Sequence, residues 1–160
     1  MIFEIKDNTI YITTKYNEIF IKNIKKYTDG KWNKDEKRWE VSYEFFDKVN
    51  EICIPLFGEG IDGDNVTIEY KATDFRDKPA NNVHDYIKIG SFITVERLRR
   101  DSEVTLSKTI IVNGDFQNCG GSAKYPGVGD CDEVVLRSTI ARKLYEALSD
   151  EEKSKISVVA

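Results

Sequence analysis

From Ile2 to Lys6 apolar and charged residues alternate, and Ile10 and Ile12 resume the alternation after Asp7-Asn8. A period of two on both sides of a polar pair predicts a hairpin, strands 2–6 and 9–14, each with one face buried. Asn17 is a capping residue, and Ile19, Phe20, Ile24 and Tyr27 follow at the 3.6 period, so a helix is expected from Glu18 to a stop at Gly30. Lys31-Trp32-Asn33 and Arg38-Trp39-Glu40-Val41 read as short strands around the polar turn Lys34-Asp35-Glu36-Lys37. Ser42 is placed to cap a second helix, from Tyr43 to about Ile52, with Phe45, Phe46, Val49 and Ile52 on one side. Pro55 and Gly58 end it, which gives a β-β-α-β-β-α module over residues 1–57.

The glycine-rich, acidic stretch from Gly58 to Asp64 reads as a boundary before a second region, residues 65–160. Val66, Ile68 and Tyr70 alternate as a strand, Thr73 to Asn82 reads as a loop, and Val83 to Ile89 suits a strand or a short helix. Phe92–Arg99 and Glu103–Asn113 predict a hairpin turning at Arg99-Arg100-Asp101-Ser102, with Asn113-Gly114 closing it. Phe116 to Asp130 is a long polar, glycine-rich loop, and long loops without secondary structure are commonly functional. Val134-Val135-Leu136 fits one more strand or the start of a helix that Ser138 or Thr139 would cap and that runs through Ala147. Ser149-Asp150-Glu151-Glu152 is a capping box for a last short helix. The fold class expected is α+β, a hairpin and helix module followed by a second hairpin-rich region with a C-terminal helix.

Composition narrows the functional classes. A chain of 160 residues with 40% hydrophobic and 32% charged residues is ordinary globular material. It has no apolar run of about 18 residues, so no membrane partner is expected. Its start carries no basic and then apolar leader, and three cysteines without framework spacing suit a reducing compartment, so the cytoplasm is the expected location. The net charge of −4 weakens a bulk electrostatic case for nucleic acid, but the charge is uneven. Lys22, Lys25, Lys26, Lys31, Lys34, Lys37 and Arg38 face only Asp29, Asp35 and Glu36, a local balance of +4. Both tryptophans lie in the same stretch; Trp39, in the alternating strand, is expected in the core and Trp32 nearer the surface.

The run from Phe20, Ile24-Lys25 and Gly30-Lys31-Trp32-Asn33 through Lys37-Arg38-Trp39-Glu40-Val41 to Phe46-Asp47-Lys48-Val49 resembles the HARP domain. That module precedes the ATPase core of certain SNF2-family annealing helicases. The resemblance covers residues 2–57 and implies binding of DNA near branched or junction structures. No GxxxxGK[ST] loop occurs and no helicase motor fits in the chain, so the module is expected to work without its own motor. On this reading Lys22, Lys25, Lys26, Lys31, Lys34, Lys37 and Arg38 meet phosphates and Trp32 stacks on an unpaired base.

Catalytic chemistry finds less support. His84 is the single histidine and reads as a surface or loop residue beside Asp85. Cys119 and Cys131 match no zinc spacing and suit packing or an occasional disulfide, while Cys53 sits in an apolar run. The acidic residues Asp115, Asp130, Asp132 and Glu133 lack the spacing of a magnesium site, and Gly120-Gly121-Ser122-Ala123-Lys124 lacks the ending of a phosphate loop. No catalytic residue, metal or cofactor is assigned. Asp115, Lys124, Tyr125, Asp130 and Asp132 mark a loop for a ligand or partner. The function expected is a non-catalytic accessory protein for single-stranded or branched DNA. The alternative is a small acidic interaction module of phage or mobile-element type that blocks a host protein, with a hydrolase or nuclease third.

Overall fold

A computed structural model of the protein describes residues 1–77 and 85–159. His84 and the end of the expected 73–82 loop lie outside the described residues. The chain divides into two compact units, Met1–Gly63 and Asp64–Ala160. The fold is α+β, with an N-terminal β-β-α-β-β-α arrangement followed by strand-rich sheets and C-terminal helices.

In the first unit, β1 (Ile2–Lys6), β2 (Thr9–Thr13), β3 (Lys31–Asn33) and β4 (Arg38–Ser42) form one antiparallel sheet in the order β1-β2-β4-β3. Asp7 and Asn8 both adopt positive φ (49° and 62°) between the paired residues Lys6 and Thr9. That is the two-residue turn whose twist matches a hairpin. Two helices, α1 (Glu18–Tyr27) and α2 (Phe46–Phe57), supply Phe20, Ile24, Val49, Ile52 and Cys53 to a core shared with Ile10, Ile12, Trp39 and Val41 of the sheet. Alternation along β2 and β4 therefore has its physical reason: one face meets the helices and the other carries Tyr11, Arg38 and Glu40.

Three local details differ from the sequence reading. Helix α1 ends on Thr28, whose Oγ1 donates to the Ile24 carbonyl at 2.6 Å and accepts from the Gly30 N–H at 3.0 Å. Gly30 is needed because a Cβ there would collide with Ile24 Cγ2, not because of a left-handed backbone. Ser42 does not cap a helix with its side chain; its hydroxyl donates to Asp29, and a single 3₁₀ turn, Tyr43–Phe45, leads into α2. Pro55 lies inside α2, which continues to Phe57 and stops at Gly58 in the left-handed region, φ 69°.

The second unit holds two four-stranded antiparallel sheets. One has the order β10-β11-β5-β12, from β5 (Asn65–Lys71), β10 (Thr109–Asn113), β11 (Val135–Ala141) and β12 (Ile156–Val159). The other has the order β6-β7-β8-β9, from β6 (Arg76–Asp77), β7 (Tyr86–Ile89), β8 (Phe92–Glu96) and β9 (Thr105–Leu106). The expected hairpin is half present: β8 pairs with β9 at Val95↔Leu106 and Glu96↔Thr105. The segment then turns at Lys108, φ 52°, and Thr109–Asn113 joins the other sheet beside β11. Val135–Ala141 is a strand throughout, so the helix there starts only with α3 (Arg142–Glu146), capped by neither Ser138 nor Thr139. Ser149 and Glu152 form the expected capping box at α4 (Asp150–Ser154).

Candidate nucleic-acid interface

The groove that stands out is built on the first unit. Helix α1 starts at Asn17, whose Oδ1 accepts from the Phe20 N–H at 2.9 Å. The loop that precedes the cap, Thr14-Lys15-Tyr16, lines the same groove as the two indoles. Strand β3 is an edge strand, and register sets Trp32 opposite Trp39, so both indoles lie on the helix side of the sheet. Trp39 is 5% exposed and packs edge-on against Phe20 at 6.2 Å between centroids. Trp32 leans on Trp39 at 5.6 Å and is 46% exposed, because no further strand covers it.

Beside them lies an open groove of about 430 Å³, lined by the loop 14–17, by Phe20, Ile21 and Lys25 of α1, and by the two indoles. Its charged lining consists of Lys15 and Lys25, with no carboxylate among the described residues. Lys25 Nζ stands 5.9 Å from the Trp39 ring centroid. Tyr16, 84% exposed, closes the loop side. An aromatic floor with ammonium groups at its edge is the chemistry that suits a stacked base with its phosphate nearby.

The basic residues singled out from sequence fall in three places. Lys25 and Trp32 belong to the groove. Lys26 Nζ stands 4.9 Å from the Tyr27 ring centroid, and the charges of Lys22 and of Lys48 of α2 act on the same phenol. A hydrogen bond and charge from Lys26, with Lys48 and Lys22 adding to it, hold the Tyr27 phenol below its usual range. Lys31, Lys34, Lys37 and Arg38 belong to the hairpin. Lys34 and Lys37 sit in its turn, which Asn33 Oδ1 ties by accepting from the N–H groups of Asp35 and Glu36 at 3.0 Å each. Arg38 is committed elsewhere: its guanidinium stacks on Tyr11 at 3.9 Å and faces Glu40 at 3.6 Å. Lys31 takes the register position opposite Glu40, on that same outer face. Lys15, Tyr16 and Lys48 were not picked out by the sequence reading. The signal for the first two was a lysine and an aromatic immediately before a helix cap.

The loop of the second unit singled out for a ligand or partner divides as well. Asp115, Asp130 and Asp132 line a small hollow of about 170 Å³ with Gln117, Cys131 and Glu133. Among the described residues no group of three or more His, Cys, Asp or Glu side chains is arranged to hold a metal. Lys124 and Tyr125 lie at the tip of a tight turn, where Ser122 N–H donates to the Tyr125 carbonyl at 2.9 Å. The Gly120 N–H donates to the Arg100 carbonyl at 3.0 Å, so the amides of Gly120 and Ser122 are spent within the loop and do not form a phosphate nest. Cys119 is exposed, Cys131 is buried, and both are free thiols.

What orders this loop is Arg97, 2% exposed. Its guanidinium donates to the carbonyls of Gly127 (2.6 Å), Gln117 (2.6 Å), Val128 (3.2 Å) and Ser102. Asp85 braces the same segment, accepting from the Val128 N–H at 2.5 Å and from Arg76 at 2.5 and 3.0 Å. The arrangement is structural: the groups are satisfied by one another. No described helix is long and apolar enough to cross a membrane. No family model matches the chain, and no curated protein or solved structure matches it.

Proposed function

We propose that the first unit binds an unpaired stretch of nucleic acid, with one base stacked on Trp32 and the flanking phosphates held by Lys15 and Lys25. The observation that carries this is the groove itself: a half-exposed indole resting on a buried one, with two lysines and no carboxylate in the lining. An aromatic groove also suits a quaternary ammonium ligand, but two ammonium groups at its edge repel a cation and attract a phosphate. A base paired within a duplex keeps its faces covered by its neighbours, so the groove favours single strands or the unpaired arm of a branch. The β-β-α-β-β-α order and the two tryptophans support a relation to HARP-like modules, and on that relation the ligand is DNA at a fork or junction.

The test is fluorescence anisotropy of labelled oligonucleotides, with quenching of tryptophan fluorescence as a second readout in wild type, since Trp32 and Trp39 are the two tryptophans of the chain. Single-stranded, duplex and forked oligonucleotides are titrated at about 50 and 150 mM salt. Two phosphate contacts predict a log–log salt slope of about −1.4 on a single strand. Trp32→Ala is expected to weaken binding by about 1–3 kcal/mol. A Lys15→Glu/Lys25→Glu pair abolishes the slope, whereas Lys34→Glu/Lys37→Glu leaves most of the affinity. No binding by wild type at about 100 μM, the weak end of non-specific affinity, ends this reading. The competing reading, docking on a host protein, draws on Ile19 and Tyr27, which stand exposed beside Lys48 on the α1/α2 face.

A further inference from the structure

We propose that Asn17 reads the nucleotide held in the groove, its carboxamide NH₂ donating to an acceptor atom of that nucleotide. The inference rests on the groove reading above and deepens it. Asn17 lines the groove between Tyr16 and the first turn of α1. As the cap of α1 it uses Oδ1 to accept the Phe20 N–H at 2.9 Å. Only the oxygen of a carboxamide accepts, so this bond fixes which end of the group is which, and Nδ2 is left as a pure donor. Nδ2 has no hydrogen-bond partner among the described residues. The lining also carries the Tyr16 hydroxyl and the indole N–H groups of Trp32 and Trp39 as neutral donors. Thr14 Oγ1 donates to the Lys15 carbonyl at 3.1 Å, and Lys15 and Lys25 are mobile point charges on long stems. Asn17 is thus a neutral donor of the groove whose orientation is set by a bond the helix needs in any case.

The chemistry of the ligand follows. A site that stacks an aromatic ring and offers an oriented N–H selects a ring bearing a keto oxygen or ring nitrogen, or a phosphate oxygen beside it. The base and the phosphate share that acceptor chemistry, and the experiment separates them.

Asn17→Ser and Asn17→Asp both remain good helix caps, so α1 and the melting temperature are expected to stay as in wild type. Both variants lack the NH₂ donor. They are titrated with an oligothymidylate and with an abasic strand of equal length, beside Trp32→Ala. Asn17→Ser is expected to bind the oligothymidylate about 3- to 10-fold more weakly than wild type. Asn17→Asp loses more, because its carboxylate faces the phosphates. Loss confined to the oligothymidylate identifies a base acceptor; equal loss on both strands identifies a phosphate oxygen. If both variants bind both strands as wild type does while Trp32→Ala is weakened, the groove reading stands and the role of Asn17 is overturned. If wild type binds neither strand, or Trp32→Ala binds as wild type, the groove reading fails and takes this inference with it.

Discussion

Replacing Arg97 by alanine removes a side chain that ties three separate stretches of the second unit's chain together. The guanidinium is buried and gives hydrogen bonds to four backbone carbonyls, those of Ser102, Gln117, Gly127 and Val128. A hydrogen bond from a charged donor contributes about 1.5–3 kcal/mol, and a buried acceptor left unmade costs its full desolvation. Ser102 and Gln117 lie where the bonds are partly buried, and water replaces the lost donor there. Gly127 and Val128 are buried and lack that recourse. Two bonds counted in full give a destabilisation of about 3–6 kcal/mol. Against a total stability of about 5–15 kcal/mol for a typical domain, that is a large fraction.

Arg97→Lys keeps the charge but has three donors on one nitrogen, so it reaches fewer of the four carbonyls and is expected to lose about half as much. The assay is urea unfolding followed by far-UV circular dichroism, with hydrogen exchange resolved along the chain. Tryptophan fluorescence is the wrong probe here, since both indoles belong to the first unit. The amides of Gly120 and Gly127, bonded to the carbonyls of Arg100 and Gly120, are expected to lose protection first. A loss below about 1 kcal/mol, or unchanged exchange across 116–130, would refute the view that Arg97 organises this loop.

Four further outcomes are expected. Trp39→Ala destabilises the first unit by about 3–5 kcal/mol in urea unfolding, whereas Trp32→Ala, at the open edge of the sheet, costs under about 1 kcal/mol; equal losses would contradict the assigned burial. Ser149→Ala removes the hydroxyl half of the capping box at α4, leaves Glu152 on the residue 149 N–H, and lowers stability by about 1 kcal/mol, read as a shift in thermal midpoint. In native protein a thiol reagent modifies Cys119 rapidly, while Cys53 and Cys131 react only after denaturation, because burial pushes the Cys53 thiol up to about 12 and raises Cys131 as well. Burial also raises the Tyr70 phenol, so above pH 9 the unfolded chain ionises thiols and then phenol that the folded chain keeps protonated. The stability they contribute is complete below pH 9 and declines toward pH 12 by at most about 1.4 kcal/mol per pH unit for each group, measurable as a falling urea midpoint.

Much of the first unit was legible in the sequence because its elements follow a single period each. Ile10 and Ile12, Trp39 and Val41, and Phe20 and Ile24 all reach the core that their spacing predicts. The second unit misled where burial was polar. Ser138 looks like a helix cap, yet it sits inside β11 with its hydroxyl 2.8 Å from Tyr70 Oη and 2.7 Å from Thr109 Oγ1. Tyr70 in turn donates to Thr94 Oγ1 at 3.0 Å, so four hydroxyl-bearing strands meet in one buried network. A period-two reading that admits only apolar residues passes over such a strand. The alternation from Val104 to Val112 misled in the opposite way. Its apolar register is interrupted at Lys108 alone, and there the chain changes sheets, with Ser107 N–H bonded to Thr94 and the Lys108 carbonyl accepting from Thr139. No glycine or proline marks the turn.

The candidate site shows the same gap between order along the chain and order in space. Seven basic residues within Lys22–Arg38 suggest one patch, but helix and strand geometry disperses them. At about 100° per residue, Lys22 and Lys26 lie about 40° apart on α1, as do Ile21 and Lys25. The first pair acts with Lys48 on the Tyr27 phenol, and the second lines the groove. In the hairpin a period of two sends Trp32 and Trp39 to the helix side and Arg38 to the other, where Tyr11 and Glu40 occupy it. What the groove gains besides Lys25 and Trp32 it takes from outside the run, from Lys15, Tyr16 and Asn17 in the loop before α1. Charge density along the sequence thus points to the third of the chain that holds the groove, and of the run it singles out, Lys25 and Trp32 line it. A reversal of Lys31, Lys34 and Arg38 is expected to move affinity far less than a reversal of Lys15 and Lys25, and parallel salt titrations of the two variants decide which set meets the phosphates.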